Sequence, residues 1–194
     1  MNVGIYIYEN AEVLDFSGPF EVFSTANRLS GTEGMFNVFL VAEEVRAVNA
    51  RGGYSVNPHY GFEDHPKIDL LVVVGGIHTA ELAKPRVINW VSSISRNATV
   101  VASVCTGAFL LAQAGLLVNL NVTTHWEDIE ELRESYPDIT VVEKQRWVDQ
   151  GKFITSGGIS AGIDMSLHLV SRLGGKELAE KTARQMEFEW QKCA

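Results

Sequence analysis

Cys105 is the residue in this 194-residue chain whose surroundings point most directly to chemistry. It follows Val100–Val104, an apolar, β-branched run that reads as a buried strand, and precedes Ala108–Ala114, which reads as a helix. A strand that becomes a helix within about two residues must turn sharply at its apex. Ser103 and Gly107 supply the small side chains that such an apex needs. The turn lifts the sulfur above the sheet and aims the first unpaired N–H groups of the helix at it. That setting favours a thiolate, and so a nucleophile. The competing reading is a buried structural thiol, which is what a lone cysteine most often is.

Other residues offer this thiol partners. Asp15 sits among apolar neighbours, Val13, Leu14 and Phe16, which predicts partial burial. A carboxyl group near the sulfur must carry the proton or pass it on, otherwise it repels a thiolate. Read alone, Asp15 is equally a turn carboxylate, and Glu21 is a second, less suitable acid. Gly75-Gly76 follows an apolar run. It serves either as a chain reversal or, with the N–H of Thr106, as an oxyanion hole. His125, in Thr123-Thr124-His125-Trp126-Glu127, is either a histidine packed at a helix start or a general base oriented by Glu127. Ile77, Phe16, Trp126, Gly158 and Ile159 are the expected pocket wall. Gly157-Gly158 lacks the Lys-Ser/Thr ending of a phosphate loop. The other four histidines, His59, His65, His78 and His168, show no metal-ligand spacing, so neither metal nor cofactor is expected.

These residues need a scaffold, and the pattern of the chain predicts one. Strands are expected at Asn2–Tyr8, Phe36–Ala42, Asp69–Val74, Thr99–Val104, Ile139–Val142, Arg146–Val148 and Phe153–Thr155, with a short β-like piece at Asn121–Thr123. Helices are expected from Ser17 as N-cap to about Leu29, at Pro85–Ser95, Glu127–Ser135, Ala161–Leu173 and Lys176 to about Trp190. A small β excursion falls near 45–60 and a hairpin near 145–155. Alternating strands and helices predict an α/β three-layer sandwich, mostly parallel and flavodoxin-like, with helices on both faces. No linker or repeat divides residues 1–194, so one domain is expected. In such sheets, sites form beyond the C-terminal strand ends. Asp15, Gly75-Gly76, Cys105 and Ser156-Gly157-Gly158 all follow expected strands, so all four can meet on one edge.

Composition narrows the partners. Net charge is −8, from 16 basic and 24 acidic residues, which argues against a nucleic-acid or anionic-membrane surface. Apolar residues make up 46% and no run approaches a membrane span of about 20 residues. The N-terminus lacks the basic start of a secretory signal, and two cysteines make no disulfide framework, so the reducing cytosol is the expected setting.

The motifs themselves resemble a known family. Val104-Cys105-Thr106-Gly107-Ala108-Phe109-Leu110-Leu111-Ala112, Ala114-Gly115-Leu116-Leu117 and Thr123-Thr124-His125-Trp126 resemble the ThiJ/PfpI superfamily, which has the class I glutamine-amidotransferase-like fold. Leu14-Asp15-Phe16-Ser17-Gly18-Pro19, Val74-Gly75-Gly76 and Ser156-Gly157-Gly158-Ile159-Ser160-Ala161-Gly162-Ile163-Asp164 match further motifs in family order. The branch resembled contains isonitrile hydratases, which are lyases, and the sensor-like domains of AraC-type regulators. The resemblance implies a homodimer acting on a small molecule. Cys105 would add to the terminal carbon of an isonitrile and form a thioimidate, which water converts to an N-substituted formamide. Asp15 would hydrogen-bond the sulfur and move protons, with Gly75, Gly76 and Thr106 lining the pocket. Thr106 stands where the peptidase branch has histidine, which argues against proteolysis. Asp15 stands where glyoxalase-like and deglycase-like members have glutamate. Those activities are one alternative; a non-catalytic small-molecule or redox sensor with an oxidisable Cys105 is the other. The regulators continue into a helix-turn-helix domain, and a chain ending at Ala194 is expected not to bind DNA.

Overall fold

The computed structural model describes residues 1–32 and 34–192; Cys193, counted above against a disulfide framework, lies outside them. Its centre is a sheet of six strands: β1 (Asn2–Tyr6), β2 (Asn37–Val41), β5 (Leu70–Val73), β6 (Val100–Val104), β9 (Trp147–Gln150) and β10 (Phe153–Ser156). The order across the sheet is β2-β1-β5-β6-β10-β9. All neighbours are parallel except the β9–β10 hairpin at one edge, in register Phe153 with Gln150. Every residue of β5 and β6 is buried, as continuous apolar runs in a doubly covered sheet must be.

Helices cover both faces. On one, α1 (Val13–Leu29), α6 (Ala161–Gly174) and α7 (Lys176–Gln185) pack together; on the other, α2 (Thr79–Leu82), α3 (Pro85–Asn97) and α4 (Gly107–Gln113) do. Between α4 and β9 lies a helix α5 (Ile129–Ser135), preceded by a short 3-10 turn over Trp126–Asp128. The β excursion is the antiparallel pair β3 (Val48–Ala50) and β4 (Tyr54–Val56). The pieces β7 (Asn121–Val122) and β8 (Thr140–Val141) form a separate parallel pair. No helix among the described residues is long and apolar enough to cross a membrane.

The α/β layering is therefore as expected, but several element bounds move. Helix α1 starts at Val13, not at Ser17. Ser17 does not cap it: its hydroxyl donates back to the Val13 carbonyl at 2.8 Å inside the helix. Pro19 lies within the helix, where it can bring no N–H to the Asp15 carbonyl. The loop after β5 holds the short helix α2. The last helix ends at Gln185 rather than near Trp190.

The topology then sets the site. From β1 the chain adds β2 on one side and β5 on the other, so a crevice opens where their C-terminal ends diverge. Asp15 follows β1 and Gly75 follows β5, on either side of that crevice. Cys105 follows β6, and Gly157-Gly158 follows β10.

Candidate functional site

Cys105 occupies the turn between β6 and α4 with φ 54°, a left-handed conformation that a residue with a Cβ adopts only under constraint. The constraint is visible on both sides. Its N–H donates to the Gly157 carbonyl at 3.3 Å, and its carbonyl accepts the Thr124 hydroxyl at 2.9 Å. Gly107 must be glycine, since a Cβ there would run into the Val73 carbonyl. A Cβ on Gly75 would lie 2.7 Å from the Cys105 Cβ and 2.6 Å from the Thr106 nitrogen. The elbow expected from spacing is thus present, held by three neighbouring strand ends.

Asp15, in the first turn of α1, is completely buried. Its Oδ2 accepts the Gly75 N–H at 3.0 Å, while Oδ1 has no hydrogen-bond partner of ordinary geometry. Burial pushes its pKa up to about 7, although the Gly75 amide pulls the other way; the nearby charge of Glu12 adds to the rise. No cation pairs with it among the described residues. Cys105 is 7% exposed. Burial, and then the charge of Asp15, push its pKa up to about 12 against the opposing hydrogen bond from the Thr106 amide. The expected thiolate is therefore corrected. Helix α4 is short, and one amide does not outweigh desolvation beside a carboxylate. The two groups are better treated as a pair that releases its first proton near 7 and holds its second to about 12.

The glycine loop is also different from expectation. The Gly75 amide is spent on Asp15, and the Gly76 amide donates to Thr106 Oγ1 at 3.0 Å. The Thr106 hydroxyl in turn donates to the Gly76 carbonyl at 3.1 Å. Neither glycine N–H is free for an oxyanion, and the Thr106 amide is the donor that faces the sulfur. Gly75 and Gly76 instead fix Asp15 and Thr106 in place.

The site opens into a cleft of about 640 Å³ that holds Cys105, Thr106, Gly76, Ile77, His125 and Ile159. Ile159 is held at φ 52°, an outlier for a β-branched residue, across the cleft mouth. Trp126 and Gly158 lie in an adjoining groove that shares His125 and Ile159 with the cleft. Phe16 lines neither. It is buried, with its ring 6.4 Å from that of Tyr54. Consecutive helical residues point about 100° apart, so an Asp15 aimed at the site turns Phe16 away from it. His125 accepts the Glu127 N–H on Nδ1 at 3.4 Å, and that nitrogen lies 3.3 Å from Asp128 Oδ2 but 3.8 Å from Glu127 Oε2. Asp128 rather than Glu127 is its acidic neighbour, and His125 makes no hydrogen bond to Cys105 among the described residues. A Cβ on Gly158 would collide with the His125 ring, so this glycine makes room for the histidine.

Sequence reasoning missed Glu12, Arg51, His78, Asp128 and Glu131, which also line the cleft. Asp128 had a signal, since it stands three residues after His125 at the start of a helix. Arg51 had none, because it arrives from the β3–β4 excursion.

Comparison with known proteins adds the context. The model of the DJ-1/PfpI family matches residues 1–172. The HTH-type transcriptional regulator GbdR of Pseudomonas aeruginosa is 28% identical over 188 residues, covering 97% of this chain and 51% of the regulator. Isonitrile hydratase of Pseudomonas putida is 32% identical over 189 residues, covering 97% of this chain and 78% of the hydratase. A ThiJ/PfpI family protein from Pseudomonas syringae superposes with a TM-score of 0.87 at 24% identity, covering 98% of this chain and 76% of that one. The chain spans about half the length of the regulator it matches. Regulators among the relatives remove the ground for excluding nucleic acid as a partner.

Proposed function

The chain belongs to the DJ-1/PfpI family, and from that premise we propose that it is a cysteine-dependent enzyme that hydrates a small electrophilic carbon, as an isonitrile hydratase does. The observation that carries this reading is the Cys105–Asp15 pair. A constrained thiol lies beside a wholly buried carboxyl that pairs with no cation among the described residues and titrates near 7.

Above that pH, Asp15 is a carboxylate able to take the thiol proton as sulfur attacks. The sulfur bonds to the isonitrile carbon, and Asp15 returns the proton to that same carbon, giving a thioimidate. Water then adds to the thioimidate carbon, giving one proton to Asp15, which passes it to the nitrogen, and leaving a hydroxyl on that carbon. As the C–S bond breaks, the hydroxyl gives its proton to Asp15 and becomes the carbonyl, the sulfur takes that proton back from Asp15, and an N-substituted formamide leaves. The Thr106 amide stabilises charge on the sulfur as it forms and departs. His125 lies in the same cleft and orients substrate or water there. The family likeness carries a homodimer and a cytoplasmic setting as parts of the same proposal.

The regulator relative favours a second reading, in which the cleft binds a small molecule without turnover or Cys105 responds to oxidation. Formamide release from alkyl and aryl isonitriles separates the two. The wild type is expected to release formamide, and folded Cys105→Ala to fall to background. A wild type inactive on isonitriles and on 2-oxoaldehydes overturns the enzyme reading in favour of the sensor.

A further inference from the structure

The cleft over Cys105 is one-sided in charge. Among the described residues Glu12, Glu127, Asp128 and Glu131 line it, against Arg51 as its one guanidinium and no lysine. Arg51 is already engaged, 3.5 Å from Glu12. Even with His78 and His125 both positively charged, the carboxylates outnumber the cations. Glu127 and Glu131 are exposed at the rim, and Asp128 is half-buried, its charge reaching the Cys105 sulfur. Beneath it, close enough to Cys105 for its charge to act on the thiol, lies the fully buried Asp15, whose Oδ1 has no hydrogen-bond partner. The adjoining groove differs: Glu130 and Glu143 are balanced there by Lys144 and Arg146, and Arg146 is tied to Asp164. The acidic character belongs to the cleft with the thiol.

We propose that this cleft selects small electrophiles bearing a positive charge, such as a substituted ammonium group, and rejects those bearing a carboxylate or sulfonate. The proposal rests on Cys105 being the reacting group of the cleft. A concave site lined by one sign of charge concentrates ligands of the other sign and repels those of its own. The carboxylates at the rim would meet the cationic end while the reacting carbon reaches the sulfur. Carboxylate-bearing electrophiles, 2-oxo acids among them, would face repulsion from the rim and from Asp15.

Three methanethiosulfonates of different charge, the two charged ones built on the same two-carbon chain, test this on the 194-residue chain, with labelling at Cys105 read by peptide mass mapping. They are the neutral methyl, the cationic 2-(trimethylammonium)ethyl and the anionic 2-sulfonatoethyl reagents. Each rate is divided by the reagent's rate with 2-mercaptoethanol. At low ionic strength the cationic reagent is expected to label Cys105 faster than the anionic one by about tenfold or more. The ratio should shrink at about 0.5 M salt, where screening cuts the reach of exposed charges. It should shrink also in Glu127→Gln/Glu131→Gln. Equal normalised rates, or a ratio that ignores both salt and the double variant, overturn charge selection and leave the reactive cysteine standing. Failure of the neutral reagent to label Cys105 overturns the reactive-cysteine reading, and charge selection with it.

Discussion

Two aspartates occupy the same kind of position and are treated in opposite ways. Asp15 lies in the first turn of α1 and Asp164 in the first turn of α6, and both are completely buried. Asp164 is fully matched: Arg146 pairs with it, Nε lying 2.8 Å from Oδ2, and Oδ1 accepts the Gln191 amide at 2.8 Å. Asp15 accepts the Gly75 amide and, among the described residues, pairs with no cation. A third buried carboxylate, Glu81, follows the Asp164 pattern, with Tyr6 donating at 2.6 Å and Lys84 at 2.7 Å. The fold can therefore compensate the charges it buries. Where it leaves one uncompensated, that group faces a constrained cysteine. Strained backbone and a carboxyl shifted toward neutral pH on the same few residues are the marks of a site, while a matched ion pair is the mark of scaffolding.

The contrast can be broken by swapping which aspartate is neutral. The largest expected effect is on turnover. Asp15→Asn keeps the shape but cannot take the thiol proton, so formamide release should fall by about 10²–10⁴-fold. The wild-type rate should rise with pH through about 7, and the variant should lose that inflection. A folded Asp164→Asn should keep it. Equal losses in the two variants would erase the distinction.

The next effect is on stability. The Asp15 carboxyl has an ordinary value of 3.8 and titrates near 7 when folded. Between those pH values the unfolded chain has released a proton that the folded chain retains. Stability should thus fall as pH rises from about 4 to about 7 and level off above, by about 4 kcal/mol in full at about 1.4 kcal/mol per pH unit. Denaturant unfolding at pH 5 and pH 8 measures about 3 kcal/mol of it, the part lost between pH 5 and about 7. Asp15→Asn should remove this component, and an unchanged slope in that variant would contradict it. Asp164→Asn is the smaller test, because Arg146 is partly exposed and keeps some water. It should cost about 3 kcal/mol at pH 7, from an ion pair left half-made.

The strand-end logic explains what was legible beforehand. Thr99–Val104 followed by the turn at Cys105, Asp69–Val74 followed by Gly75-Gly76, and Phe153–Thr155 followed by Ser156-Gly157-Gly158 each announce a buried strand and its break. Placing those breaks on one edge follows from a parallel sheet. The start of α1 was not legible, because Glu12 makes no side-chain cap and Pro19 looks like a first-turn residue. That shift of phase is why Phe16 was misplaced. The use of the Gly75 and Gly76 amides was hidden too, since both partners come from distant parts of the chain. So was Ile159, whose φ of 52° no residue type of its class suggests. The cysteine's proton affinity depends on burial and on Asp15, neither of which a local motif reports.

The central claim is that Asp15 keeps a proton to near neutrality because it is buried without a cation beside Cys105. Site-resolved ¹³C NMR of the aspartate carboxyl carbons against pH measures this directly. One resonance should titrate near 7 in the wild type and be missing from Asp15→Asn. If every aspartate carboxyl in the wild type titrates below about pH 5, within the ordinary range of the side chain, the account is wrong.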